Sequence, residues 1–279
     1  MRTLLACPKT AFSLTSALTV GPTKMEKELK IDELTVRIYA NQSAMAKAVT
    51  EDVHAYIAAK LVAQDCLAAI LATGNSQIEF LKALNQKGGI DWGKATLFHM
   101  DEYLGITSDH KASFQRYMRE RVAEPMNPKV FNYINGLCDL PIEECQRYAD
   151  LLAAQPIDLC CMGVGENGHL AFNDPHVADF EAKEALRIVR LDDECKMQQV
   201  KEGHFASLET VPPYAFTLTI PTLCSAEKVF CVAPETRKAK AIQAALAGPI
   251  STACPASFLR TKSNATLYLD NDSAALLDV

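Results

Sequence analysis

The sequence is poor in the features that announce a metalloprotein, a membrane span or a nucleic-acid surface. No Cys-x-x-Cys pair occurs, and none of the six histidines falls in a His-x-x-x-His or His-Glu-x-x-His spacing. That leaves no zinc-type ligand set and no reason to expect a bound metal. No apolar run approaches the roughly 20 residues that cross a bilayer, so a membrane partner is not expected. No run of Lys or Arg supplies a basic patch, and a formal net charge of −6 opposes contact with nucleic acid. Internal repeats, low-complexity tracts and, beyond residue 30, linkers are also missing.

The first 24 residues lack Asp and Glu altogether, while they hold Arg2, Lys9 and Lys24 and are rich in Ser, Thr, Ala and Leu. Pro8 and Lys9 interrupt any apolar stretch that would make a signal segment. Met25 opens Met25-Glu26-Lys27-Glu28-Leu29, a plausible start. The expectation is a disordered extension or an early start over 1–24, followed by one domain over 25–279.

What is present is the composition of a packed enzyme. With 279 residues, 49% hydrophobic and 22% charged, the chain can bury the core of one large α/β domain. Its ten cysteines are not spaced as a disulfide framework; Cys66, Cys160, Cys161, Cys224 and Cys231 lie in or beside apolar runs. Such residues behave as small hydrophobes, which favours a reducing, cytoplasmic setting.

Apolar runs and helical periods alternate along the chain. Strands are predicted over 34–40, 66–72, 95–100, 157–162, 186–191, 214–220, 229–233 and 265–269. Helices are predicted over 41–64, 76–86, 113–123, 142–154 and 236–246, the last stopped by Gly248-Pro249. In the first helix Met45, Val49, Val53, Ile57 and Leu61 recur at helical spacing. Alternation of this kind predicts a Rossmann-like three-layer α/β/α fold with a mostly parallel sheet, and a small helical lid around 186–208. In such sheets ligands bind beyond the carboxyl ends of the strands.

Three polar loops follow directly from buried strands and should gather on that rim. Thr73-Gly74-Asn75-Ser76 joins a strand to a helix, whose unpaired N-terminal amides suit a phosphate; an ordinary turn with a serine cap would look the same. Phe98-His99-Met100-Asp101-Glu102-Tyr103 places two carboxylates past a strand. Neighbours on extended backbone point opposite ways, so one can face a pocket while the other caps or pairs. The third loop, Gly163-Val164-Gly165-Glu166-Asn167-Gly168-His169-Leu170-Ala171-Phe172-Asn173-Asp174-Pro175, sets a histidine in a glycine-rich turn with a carboxylate five residues on. A carboxylate on such a rim is a suitable general base for a carbon acid next to a carbonyl, and a histidine exchanges protons near neutrality. No metal or redox cofactor is needed for that chemistry.

Together these motifs resemble the paired signatures of the glucosamine-6-phosphate deaminases (isomerases). Phe98–Gly105 and Gly163–Pro175 carry the resemblance; Leu71–Ser76 is similar to the family's phosphate loop, and 229–248 to its late strand–helix unit with Lys238 on the matching lysine. It spans roughly residues 30 to 278. The resemblance implies conversion of glucosamine 6-phosphate and water to fructose 6-phosphate and ammonia, with no cofactor and a sugar phosphate as the partner. It implies that Asp101 moves the proton between C2 and C1, that His169 opens the ring, and that Asn167 and Asp174 orient His169. Thr73, Gly74, Asn75, Ser76, Lys238 and the amide of Gly163 would hold phosphate and sugar, and Lys201 falls where many members carry a phosphate-binding arginine.

Four positions depart from the family pattern. Ala72 and Gln77 stand where prolines are frequent. Asn167 replaces the aspartate of some members, and an amide orients an imidazole without raising its pKa by charge. Asp174 stands where glutamate is usual, one methylene shorter. A 6-phosphogluconolactonase-like hydrolase, or a deaminase of a related sugar such as galactosamine 6-phosphate, are the competing activities. A sugar-phosphate sensor without turnover is the non-enzyme alternative, and retained Asp101 and His169 speak against it. A homo-oligomer is compatible with all of these.

The extension generates the first testable outcome. Removing residues 1–24 should leave the melting temperature and the turnover unchanged; aggregation or lost activity of the truncated protein would show that the segment packs on the body.

Overall fold

A computed structural model describes residues 25–201 and 203–278; residues 1–24 lie outside it. The strands are β1 (Met25–Ile31), β2 (Leu34–Tyr39), β3 (Leu67–Leu71), β4 (Ala95–His99), β5 (Asp101–Tyr103), β6 (Val130–Asn132), β7 (Leu159–Gly163), β8 (Leu186–Arg190), β9 (Tyr214–Leu218), β10 (Lys228–Ala233) and β11 (Ala265–Asp270). The helices are α1 (Gln42–Gln64), α2 (Asn75–Lys87), α3 (Phe114–Met118), α4 (Glu124–Met126), α5 (Pro141–Ala153), α6 (Asp193–Lys201), α7 (Ile220–Cys224) and α8 (Ala239–Ala247).

The large sheet has the order β1-β2-β11-β10-β7-β3-β4-β6. All its pairings are parallel except the edge pair β1–β2. Both faces of the central strands are covered, which is why β3, β7 and β10 read as nearly unbroken apolar runs. Period-2 alternation then divides each strand between two cores. In β7, Cys160 and Met162 face the core shared with Tyr148, Ile220 and Ile242, while Leu159 and Cys161 face the core shared with Met45, Val49, Val53, Ile57 and Phe80. The α1 stripe of the sequence is thus its buried face. That helix starts where the Asn41 side chain accepts the Ala44 amide and ends at Asp65, whose φ is 55°.

The structure departs from the simple alternating pattern in a second sheet. Strands 186–191 and 214–220 do not join the parallel sheet; as β8 and β9 they form an antiparallel sheet with β5, in the order β5-β9-β8. The chain bends at Met100 and passes directly from the parallel sheet into this one, where the Leu218 amide donates to the Met100 carbonyl at 2.8 Å. Aromatic residues fill the space behind β5: the Tyr103 ring lies 5.1 Å from Phe114, 5.2 Å from Phe172 and 5.2 Å from Phe205. The segment 186–208, expected as a helical lid, is helical only in α6; its first part is strand β8 of this sheet. Strand β1, which no apolar run marks, is mostly exposed and packs only Leu29 and Ile31 against the core.

Tyr148 of α5 pins the end of β4. Its hydroxyl accepts the His99 amide at 3.1 Å and donates to the His99 carbonyl at 2.7 Å. His99 is itself fully buried, with Nε2 accepting the Ile134 amide at 2.8 Å; burial lowers its pKa to about 3, so the ring is neutral. Tyr148→Phe should strand the buried His99 amide, at a cost of about 1–3 kcal/mol, read as a lower denaturant midpoint. An unchanged midpoint would show that the amide finds another acceptor.

Candidate active site

The carboxyl ends of β3, β4, β7 and β10 open into one cleft. Ala72, Thr73, Gly74, Asn75 and Ser76 line it from the β3–α2 loop, and Asp101 from the start of β5. Gly163, Val164, Gly165 and His169 line it after β7, and Arg237 and Lys238 after β10. The three polar loops of the sequence thus meet.

Asp101 and Glu102 divide as their alternation requires. Glu102, 1% exposed, turns away from the cleft and caps α3. It accepts the Ser113 hydroxyl at 2.7 Å and the amides of Tyr103, Phe114 and Gln115 at 2.9, 3.1 and 2.8 Å. Asp101 faces the cleft and is 6% exposed, and its Oδ1 has no hydrogen-bond partner. Burial, and then the neighbouring Glu102 charge, push its carboxyl well above the usual carboxylate range.

The glycine loop is built around His169. Its Nδ1 lies 2.8 Å from Asp174 Oδ1, its amide donates to Asn167 Oδ1 at 3.0 Å, and Asn167 Nδ2 donates to the same Asp174 oxygen at 2.8 Å. The imidazole lies across Gly165, where a Cβ would come within 2.2 Å of the ring. Gly168 is required twice over, by its φ of 87° and by the Cys254 sulfur 2.7 Å from a Cβ there. The next residue but one after His169, Ala171, holds a φ of 52° and lines the cleft. Asp174 is fully buried. Burial works to raise its pKa, but the hydrogen bond and charge of His169 and the hydrogen bond of Asn167 outweigh it and hold the carboxyl low. Its acceptor role fixes the proton on His169 Nδ1 and leaves Nε2 to exchange protons.

Asn167 and Asp174 accordingly stand behind His169, outside the cleft lining. Lys238, although 5% exposed, does reach the cleft, from a short turn (Thr236–Lys238) that precedes α8. Lys201 does not. It shares a stripe of α6 with Glu194, Met197 and Gln198 that lines a neighbouring hollow with Glu166 and Asn167, whereas Gln199 turns into the main cleft. The sequence reading missed further lining residues: Lys111, Ser113 and Tyr117 from the α3 region, and Gln198, Gln199 and His204 from the lid. Tyr117, whose hydroxyl donates to the Gly74 carbonyl at 3.0 Å, comes from a helix with no motif to mark it. Arg237 also lines the cleft and pairs with Glu166 at 3.1 Å and Glu235 at 2.7 Å. Among the described residues no group of His, Cys, Asp and Glu is arranged to hold a metal ion, and no helix is long and apolar enough to cross a membrane.

Comparison with known proteins identifies relatives over most of the chain. The family model described as glucosamine-6-phosphate isomerases/6-phosphogluconolactonase matches residues 40–268. A glucosamine-6-phosphate deaminase of Exiguobacterium sibiricum is 34% identical over 207 residues, covering 74% of this chain and 80% of the relative. One from Bacillus cytotoxicus is 32% identical over 206 residues, covering 74% and 76%. The solved structure of a monomeric glucosamine-6-phosphate deaminase superposes with a TM-score of 0.79 at 26% identity, covering 87% of this chain and 99% of that one. A 6-phosphogluconolactonase from Trypanosoma brucei has a TM-score of 0.71 at 18% identity, covering 90% and 100%, a likeness of fold alone.

The dry carboxyl generates a stability outcome. The native protein holds the Asp101 proton more tightly than the unfolded chain, so ionising it costs stability as pH rises from the ordinary carboxylate range through its raised pKa. Asp101→Asn lacks that cost. Its melting temperature relative to wild type should rise steadily as pH climbs from the ordinary carboxylate range through that raised pKa; a difference independent of pH would show that the carboxyl titrates normally.

Proposed function

We propose, on the premise that this chain belongs to the family of glucosamine-6-phosphate isomerases and 6-phosphogluconolactonases, that it is a glucosamine-6-phosphate deaminase. It converts glucosamine 6-phosphate and water to fructose 6-phosphate and ammonia. The observation that carries the reading is the pairing, across one cleft, of a dry carboxylate on β5 with an Asp174-held histidine on the glycine loop.

The phosphate sits where the hydroxyls of Thr73 and Ser76, the amides of Gly74, Asn75 and Gly163, and Lys238 converge at the ends of β3, β7 and β10. That anchors C6 and lays the sugar toward β5. His169 Nε2 exchanges a proton with the ring oxygen and the anomeric hydroxyl, which opens the pyranose. Asp174 and Asn167 keep the imidazole in the required tautomer. Asp101 takes the proton from C2 and returns it to C1 as the enediol-type intermediate forms and collapses. Water then adds at C2 and ammonia leaves, giving the ketose. A carboxyl raised by burial is a stronger base than a solvated one, and its proton affinity lies nearer the working pH. It acts as a base only once ionised, so turnover should rise with pH through an acid limb above the usual carboxylate range. The enzyme works on a small sugar phosphate in the cytoplasm, and the free state of the nine cysteines among the described residues supports a reducing setting.

Ammonia release from glucosamine 6-phosphate, galactosamine 6-phosphate and 6-phosphogluconolactone (the last releasing acid instead) tests the reading directly. Glucosamine 6-phosphate should give the highest kcat/KM. Asp101→Asn should lose on the order of 10² to 10⁴ in rate while still binding the substrate. Lys238→Ala should raise KM far more than it lowers kcat. Lactone hydrolysis without ammonia release would overturn the proposal.

A further inference from the structure

Gln77 is fully buried, yet it is a carboxamide in the first turn of α2, directly beneath the residues given above to the phosphate. Its Nε2 donates to Ser76 Oγ at 3.2 Å and to the Met162 carbonyl at 3.3 Å. Its Oε1 is buried without a hydrogen-bond partner, and an unsatisfied buried acceptor is a cost that packing with an apolar side chain would avoid. The same spot is crowded by design of the backbone: a Cβ on Gly163 would come within 3.1 Å of Ser76 Oγ and 3.2 Å of Gln77 Nε2. Three polar groups, the Ser76 hydroxyl and Gln77 carboxamide of α2 and the Met162 carbonyl of β7, therefore meet where Ser76 and Gly163 line the cleft.

A serine hydroxyl has one hydrogen to donate and two lone pairs to accept with. An amide N–H that points at Ser76 Oγ occupies a lone pair and can receive nothing back. The hydroxyl hydrogen is thereby turned away from Gln77, and the open side of Ser76 is the cleft. The second bond, to Met162, fixes the plane of the carboxamide and forbids it from flipping its oxygen toward Ser76. We infer that Gln77 is a positioning residue that sets the Ser76 hydroxyl as a donor into the cleft, preorganised for an oxygen of the substrate phosphate. The inference rests on the deaminase reading for the identity of the substrate, but only on a bound phosphoryl group for its physics.

The experiment separates the two. Gln77→Leu removes the amide and keeps the volume; Gln77→Glu keeps the shape but offers only acceptors to Ser76 when ionised, drawing the hydroxyl hydrogen out of the cleft. Steady-state kinetics with glucosamine 6-phosphate, inhibition by inorganic phosphate and melting temperature are measured for both, alone and combined with Ser76→Ala. Gln77→Leu should raise KM and the phosphate inhibition constant roughly five- to tenfold with kcat nearly unchanged, and Gln77→Glu should raise them further. In the Ser76→Ala background neither substitution should add more than about twofold, because the group they orient is gone. Full additivity with Ser76→Ala, equal loss of kcat, or collapse of the fold in both variants would overturn the inference and make Gln77 a structural strut. A wild-type protein that is inert toward amino sugar phosphates would overturn the deaminase reading instead, while phosphate binding, measured by calorimetry, would still decide the role of Gln77.

Discussion

The site depends on a buried hydrogen-bond node between a loop and a strand that are distant in sequence. Asn173, fully buried, donates through Nδ2 to the Leu170 and Leu218 carbonyls at 2.8 Å each. Thr217 Oγ1 accepts the Phe172 amide at 3.1 Å. These bonds fasten the loop that carries His169 to strand β9. The same strand pairs with β5, with Thr217 opposite Asp101. The separation between the histidine and the carboxylate is therefore set by one short antiparallel register and a few buried polar contacts. A slip in that register would turn Asp101 away from the cleft and bring Glu102 toward it.

Three carboxylates within this region have three electrostatic fates, each decided by environment. Glu102 is surrounded by donors and serves as a helix cap. Asp174 is equally dry but meets His169 and Asn167, which keep it ionised as an orienting acceptor. Asp101 has burial without donors, and so its proton affinity rises. Separating the proton affinities of groups in one site is how a single cleft runs acid and base steps at one pH. The shorter side chain of Asp174 still spans the distance to the imidazole, because the backbone turn from Ala171 to Asn173 brings it close.

The fold alone does not choose between deamination and lactone hydrolysis, since both activities occur on this architecture. The choice rests on the carboxylate at the β4–β5 bend and on identity above 30% to deaminases over most of the chain. A lactone hydrolysis needs no proton shuttle between neighbouring carbons, the task that the proposed reaction gives to this desolvated carboxyl.

Much of this was legible in the sequence for a definite reason. Strands buried on both faces are unbroken apolar runs, and α1 betrays its buried stripe through Met45, Val49, Val53 and Ile57, so a parallel sheet wrapped in helices followed from periodicity. The polar motifs after 66–72, 95–100 and 157–162 followed too, because the carboxyl ends of parallel strands share one rim. Local pattern also required that one of Asp101 and Glu102 turn in and the other out. It could not say which, because that depends on where β5 pairs. Only tertiary structure decided that the chain crosses from one sheet to another at Met100, that Lys201 faces a side hollow, and that Tyr117, His204 and Gln199 line the cleft. Those residues come from helices and loops whose own sequence carries no motif to mark them as part of a site. Their roles arise from long-range packing, which brings together residues that no local rule connects.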